Sequence, residues 1–338
     1  MTSTQRPAAP RTPAPVRTPR APAALRALAI AACLPYITLK TVWIAGGRAG
    51  IPDGSVLLDH PTLMVVANGL SVVADAAVVV LALLLTRPWG LRVRAWVLVL
   101  PLWAATGLLA PIMLGYPAQV LAKLLLPPLA PSGTSSTPGT PEDGFLDPWV
   151  FPVVYGGFIV QGLCLGALAL RYARDRWAPL WRGRLGELPS ALTGPGVRAV
   201  AVAGGLLALG PVALRLLWAA GLTRGLSPGL VAVYDSDHAV VDVTRAVLLA
   251  VAAVSTPLLV LRRPARLRVR TAVALSWVAS GGAGCWGAYL SLVALMPQDD
   301  PANRPTALMT AAYAGEMITG FLLAGCLAVV LRRRSGAV

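Results

Sequence analysis

The chain has 338 residues, of which 56% are apolar and only 13% charged, whereas soluble domains carry about 25% charged residues. That deficit excludes an ordinary water-soluble globule. The net charge of +15 invites nucleic acid as a partner, but the arginines sit in short connections, and no soluble segment is long enough to present a basic face; nucleic acid is excluded.

The first 22 residues, "MTSTQRPAAPRTPAPVRTPRAP", form a Pro/Ala/Arg tail that cannot build a core. A signal peptide is not expected, because the following apolar run is too long for an h-region and "AGGRAG" is a poor cleavage site. Runs of about 20 apolar residues suffice to cross about 30 Å of hydrocarbon. Eight are expected, at 23–46, 62–85, 93–114, 149–170, 197–219, 239–261, 271–295 and 306–331. An outer loop at 115–148 carries the insertion "PSGTSSTPGTPEDG". The linker 171–196 contains "RDRWAPLWRGRLGEL", whose Trp177, Trp181, Leu185 and Leu188 have the spacing of a short interfacial helix, although Pro179 interrupts it. Residues 332–338 are a basic tail.

Basic residues gather in alternate connections, and the intervening loops are acidic, with Asp53, Asp59, Asp147, Asp235, Asp237 and Asp300 among them. This positive-inside alternation predicts a multi-pass cell-membrane protein with both termini cytoplasmic. The octapeptides "RPWGLRVR" from Arg87 and "RPARLRVR" from Arg263 become cytoplasmic hairpins whose arginines contact anionic headgroups, each worth about 1 kcal/mol. "LKTVWIAG" from Leu39 and "LRLLWAAG" from Leu214 also correspond, as do Tyr155, Gly157 and Gly162 with Tyr313, Gly315 and Gly320. The expected fold is therefore an all-α polytopic membrane bundle of two four-helix repeats, 23–170 and 197–331. An even span count makes the repeats parallel. The four cysteines all fall within spans, away from histidine, and read as small packing residues.

Ionisable residues within spans cost about 2.5–3.5 kcal/mol on insertion scales and tend to face a cavity or a partner. Lys40 and Arg215 are repeat-equivalent and lie near the outer ends of their spans. They read either as snorkelling cations or as inward groups that attract an anion or pair with acids. Asp75 lies about 20 Å along its helix from the outer end, at 1.5 Å per residue, and Glu316 is comparably deep. The repeat puts Phe158 opposite Glu316 and an apolar residue opposite Asp75. Together with Arg245 these are the candidate transport residues; in the plainer reading each acid is protonated, or paired to Arg245 or Lys40, and fixes helix register. The dipeptides Asp59-His60 and Asp237-His238 hold both histidines. With Asp53, Asp235 and Asp242 nearby they are weak metal candidates, and helix capping explains the aspartates equally well. No cofactor is expected.

P-loop, HExxH and GxSxG motifs are absent, so any ATP-driven role needs a separate ATPase subunit. Three functions stay open: carriage of a small solute or ion, an enzyme acting on a lipid-linked substrate, and a non-catalytic membrane subunit of a larger complex. Proline-interrupted spans at Pro35, Pro101, Pro211 and Pro257 favour carriage. By its Ala/Arg/Pro-rich tail, its spans and "LKTVWIAGG", the chain resembles uncharacterised integral membrane proteins of high-GC Gram-positive bacteria. That resemblance implies a helical membrane protein and brings no activity with it.

Overall fold

The computed structural model describes residues 20–53, 55–58, 61–125, 146–296 and 300–336. They form ten α-helices: α1 (Arg20–Ile44), α2 (Pro61–Thr86), α3 (Ala95–Leu125), α4 (Val150–Trp177), α5 (Pro195–Leu207), α6 (Leu209–Ala219), α7 (Pro228–Val233), α8 (Ser236–Leu261), α9 (Val269–Ala294) and α10 (Ala307–Ser335). Among the described residues seven helical stretches are long and apolar enough to cross a membrane: α1, α2, α3, α4, α5 with α6, α8 and α10. The chain is a multi-pass membrane protein. The fifth expected span is one stretch in two pieces, broken at Ala208, because Pro211 has no N–H for the carbonyl of Leu207 and its ring crowds that carbonyl. The expected seventh span falls on α9, which has 26 residues but is too rich in glycine and serine to belong to the apolar set.

Those small residues have a packing purpose. Lipid gives little hydrophobic reward for joining helices, so close van der Waals contact must hold them. Helix α9 is the axis of the bundle, packed against α3, α8 and α10. A Cβ on Gly320 of α10 would lie 2.2 Å from the Gly284 nitrogen, and one on Gly107 of α3 would lie 2.4 Å from the Gly281 oxygen. Only glycine lets these backbones meet. Tryptophans then stitch α3 to α9: Trp103 Nε1 donates to Ser280 Oγ at 3.3 Å, Trp277 Nε1 to Thr106 Oγ1 at 3.4 Å, and Trp286 Nε1 to the Leu108 carbonyl at 3.0 Å.

The two ends of the chain pack differently. Helices α8, α9 and α10 lie against one another, with α5 and α6 filling their outer groove. In the N-terminal part α1 packs on α2 and α4, and α4 packs on α3, but α2 and α3 barely touch. Where α1 and α6 end, the stretches "LKTVWIAG" and "LRLLWAAG" fold alike. Trp43 Nε1 donates to the Ala49 carbonyl at 2.7 Å, and Trp218 Nε1 donates to that of Arg224 at 3.1 Å. The turn glycines also match, with φ +85° at Gly46 and +86° at Gly221.

The linker departs from expectation. It is not one amphipathic helix but three 3-10 turns, Ala178–Trp181, Leu185–Glu187 and Ser190–Leu192. Pro179 and Pro189 cannot continue a helix, and Gly183 takes a left-handed φ of +82°. Leu185, Leu188 and Leu192 are buried with Leu259, Val269 and Leu327 from α8, α9 and α10. Arginines fasten it: Arg262 Nη1 donates to the Leu188 carbonyl at 2.9 Å, Arg333 Nη1 to that of Leu192 at 3.3 Å, and Arg334 Nη2 to that of Arg182 at 2.7 Å. The octapeptides also differ in shape. The first forms a 3-10 turn over Pro88–Arg92, latched by Tyr172 Oη to the Gly90 carbonyl at 3.0 Å and by Arg176 Nη2 to the Val93 carbonyl at 2.9 Å. The second lies along the linker, with Leu185 N donating to the Leu267 carbonyl at 2.9 Å.

Candidate functional site

Two clusters of polar groups lie between the helices. The first joins α6, α8 and α10. Asp242 and Arg245 stand three residues apart on α8 and so share a face. Arg215 reaches from α6 between two acids. Its Nη1 donates to Asp242 Oδ1 at 2.6 Å, and its Nε donates to Glu316 Oε1 at 2.7 Å. Arg245 Nη2 donates to the other Glu316 oxygen. Tyr234 Oη, ahead of α8, donates to Asp242 Oδ2 at 2.7 Å. Trp218 and Tyr313 place their rings beside the Arg215 guanidinium, each 5.3 Å away. All four charged residues are at most 8% exposed. Two arginines and two carboxylates cancel, so the cluster is a neutral network in which both acids have every oxygen paired. Burial, and then the neighbouring Asp242 carboxylate, push the Tyr234 hydroxyl above its usual range; it stays protonated and keeps donating.

The second cluster joins α1, α2 and α4, and in it acceptors lack a partner, whereas in the first the unpaired atoms are the donors Arg215 Nη2 and Arg245 Nε. Asp75, 5% exposed, accepts from Gln161 Nε2 through Oδ1 at 3.4 Å, a long hydrogen bond. Its Oδ2 and the Gln161 Oε1 are buried without a partner. Lys40 lies over two rings, 4.9 Å from the Tyr36 centroid and 4.6 Å from that of Trp43. Among the described residues it makes no ion pair. Tyr36 packs edge-on against Phe158 with centroids 4.9 Å apart, and Tyr116 lies 4.9 Å from Tyr155.

The structure therefore brings Arg215, Arg245 and Glu316 together in one network, and leaves Lys40 and Asp75 outside it, on α1 and α2. Asp75 and Glu316 share no partner. Arg215 does not snorkel; it is enclosed and faces acids. Sequence reasoning missed the weight of Gln161, Tyr36 and Asp242. The i, i+3 spacing of Asp242 and Arg245 was readable, but grouping Asp242 with the loop aspartates hid it.

The cap of α8 is Asp235 rather than the Asp237 of the Asp-His pair. Asp235 Oδ1 accepts from the backbone of Asp237 at 3.0 Å and of His238 at 3.1 Å, and it lies 2.7 Å from His238 Nδ1. Burial alone would raise the Asp235 carboxyl; the hydrogen bonds from the side chain and backbone of His238 outweigh it and hold the carboxyl below its usual range. Asp237 instead bridges to Lys123 of α3 at 2.6 Å. Among the described residues no three His, Cys, Asp or Glu side chains are placed to share a metal ion. Asp59 and His60 lie outside the described residues.

Compared against known protein families, characterised proteins and solved structures, the chain matches none of them.

Proposed function

We propose that this membrane protein is a carrier of a small solute or ion in the cell membrane, with its working site at Asp75, Gln161 and Lys40. In this reading α9 is the eighth crossing, the helices form two like-facing quartets, and both termini are cytoplasmic. The alternation of arginine-rich and acidic connections supports that topology, and the matching tryptophan turns after α1 and α6 support the duplication.

The observation that carries the reading is the unpartnered Asp75 Oδ2. A buried carboxylate is expensive in a bilayer and marks a functional site by default. A purely structural acid would be paired on both oxygens, as Glu316 is. Asp75 also sits in the loosely packed part of the bundle, where α2 is held by α1 and hardly by α3, so access and rearrangement cost least there. The test uses the full chain in proteoliposomes on a solid-supported membrane, with a panel of inorganic ions and small organic solutes. A saturable current that Asp75→Asn abolishes is the expected result. Silence across the panel from monodisperse protein, with no uptake of the same solutes in radiolabelled form, rejects carriage.

The linker turns, folded onto α8, α9 and α10, favour a second reading: a rigid platform for a separate soluble subunit such as an ATPase. Co-purification of such a subunit, lost when Leu185 and Leu188 are replaced by serine, would support it.

A further inference from the structure

We infer that Asp75 and Gln161 form a proton-binding site, and that the proton is the ion that drives the carrier. In this structure Asp75 is a neutral carboxylic acid whose Oδ2–H donates to Gln161 Oε1. The driving role rests on the carrier reading; the proton on Asp75 rests on the hydrogen bonding alone.

The two side chains are short of a single hydrogen. Gln161 Nε2 on α4 donates to Asp75 Oδ1 on α2 at 3.4 Å. The remaining oxygen of each, Asp75 Oδ2 and Gln161 Oε1, is buried and lacks a donor. A carboxyl and a primary amide complement one another when the acid keeps its proton, because each then offers a donor beside an acceptor. A proton on Oδ2 closes a ring of two hydrogen bonds and satisfies both oxygens at once. It also needs no room, and the pair is almost wholly enclosed. A hard metal cation would ask for about six oxygens, far more than this pair can give.

The C-terminal network shows what an ionised acid looks like in this fold. Asp242 and Glu316 each take a guanidinium, and the bonds to Asp242 measure 2.6 and 2.7 Å, the short distances of charge-assisted bonds. Asp75 has an amide where they have arginine, and its one bond is too long for an N–H drawn to a negative charge. A carboxylate enclosed without a cation is costly enough that it takes up a proton instead.

The groups on the surrounding helices leave that outcome in place. Near the middle of α2, α1 contributes Cys33, Tyr36 and Lys40, and α4 contributes Tyr155 and Cys164; thiols and phenols are uncharged at neutral pH. Helix α3 barely touches α2 and has no titratable side chain between Arg94 and Tyr116. Arg26 is held at the far end of α2 by Thr86, at 3.2 Å. The turns Val56–Leu58 and Pro88–Arg92 that flank α2 stand about three or more helical turns from Asp75. Lys40 lies over the rings of Tyr36 and Trp43, with no ion pair among the described residues.

Loading takes one proton from water on one side and forms the Oδ2–H bond. Unloading breaks that bond, returns the proton to water on the other side and leaves Asp75 as a carboxylate. Its Oδ2 and Gln161 Oε1 then oppose one another as bare acceptors across the α2–α4 contact. Helix α2, hardly held by α3, has least to keep it in place. Intramembrane carboxylates relay protons in pumps and transporters by such cycles.

Infrared difference spectroscopy on the full chain in an alkyl maltoside, a detergent without carbonyl groups, tests the site. At neutral pH, wild type minus Asp75→Asn should show the C=O stretch of a neutral carboxylic acid. Aspartate labelled with heavy carbon in its carboxyl should shift that band down. Asp75→Asn keeps both bonds to Gln161, its amide N–H standing for the acid O–H, and so folds. Gln161→Leu should move the band to higher frequency, the mark of a carboxyl without partners; Asp53→Asn, exposed in a loop, should leave it unmoved. No acid band at neutral pH, or a band indifferent to Gln161→Leu, overturns the site. In the proteoliposomes, any panel solute that is carried should move protons with it, read by a trapped pH-sensitive dye, and Asp75→Asn should lose both movements. Solute movement without proton movement leaves the carrier standing and removes the proton as its ion. The acid band without movement of any solute removes the carrier and leaves the proton site.

Discussion

The N-terminal helices α1–α4 and the C-terminal helices α5–α10 share similar sequence stretches and are held together by different means. In the C-terminal part four charged side chains form a neutral network, and glycines let α9 and α10 meet backbone to backbone. In the N-terminal part Lys40 makes no ion pair among the described residues, two acceptors are left over, and one helix contact is almost missing. The difference shows that cations in like sequence settings can be locked in one place and unpaired in another. What decides is whether the chain itself supplies the counter-charge.

The largest test of that contrast removes each cation. Arg215→Ala strands Asp242 and Glu316 in the interior and should cost about 3–5 kcal/mol, seen as a collapse of the thermal transition in detergent. Lys40→Ala loses ring contacts, worth about 0.5–2 kcal/mol, and should leave the fold standing. Equal losses for the two would erase the distinction. Next is the close approach of α9 and α10. Gly320→Val puts carbon against the Gly284 backbone and should cost about 1–3 kcal/mol or more. Gly325→Ala, on the same helix with nothing within 4 Å of the added carbon, should be neutral or stabilising by up to about 1 kcal/mol.

Smaller again is the cap of α8. Asp235→Ala should cost about 0.5–2 kcal/mol. Because the Asp235 carboxyl is held below its usual range when folded, its contribution is complete above the ordinary carboxylate range and is lost as pH falls through the depressed value. Wild type should therefore lose stability on acidification by an amount that Asp235→Ala lacks, read from melting curves across the acid range. The smallest expected effect is that of Asp75→Asn on stability. The carboxylate has one long hydrogen bond and a bare oxygen, so its removal should leave the melting temperature unchanged or raise it. A large drop would make Asp75 a structural residue after all.

The apolar runs were legible because a bilayer demands about 20 such residues in a row, and α1, α2, α8 and α10 start where that rule puts them; α3 instead runs on to Leu125, into the expected loop 115–148, and α4 to Trp177, into the expected linker. The break at Ala208 was half legible: Pro211 was visible, but Pro35 and Pro257 sit inside unbroken helices. The linker was misread because Leu185 and Leu188 have helical spacing, yet their burial beneath α8 and α10 is a tertiary fact. Among the candidate residues the costly charges were visible, and pairing of a buried acid with Arg245 was one of the readings, as Glu316 shows. The part played by Arg215 in that pairing, 101 positions from Glu316, left no local trace.

The seat of Gly107 on Gly281 has a mechanical consequence. Main chains in direct apposition have no side-chain cushion to shear, so α3 is welded to α9. Helices α1, α2 and α4 hold to one another and reach α9 chiefly through α3.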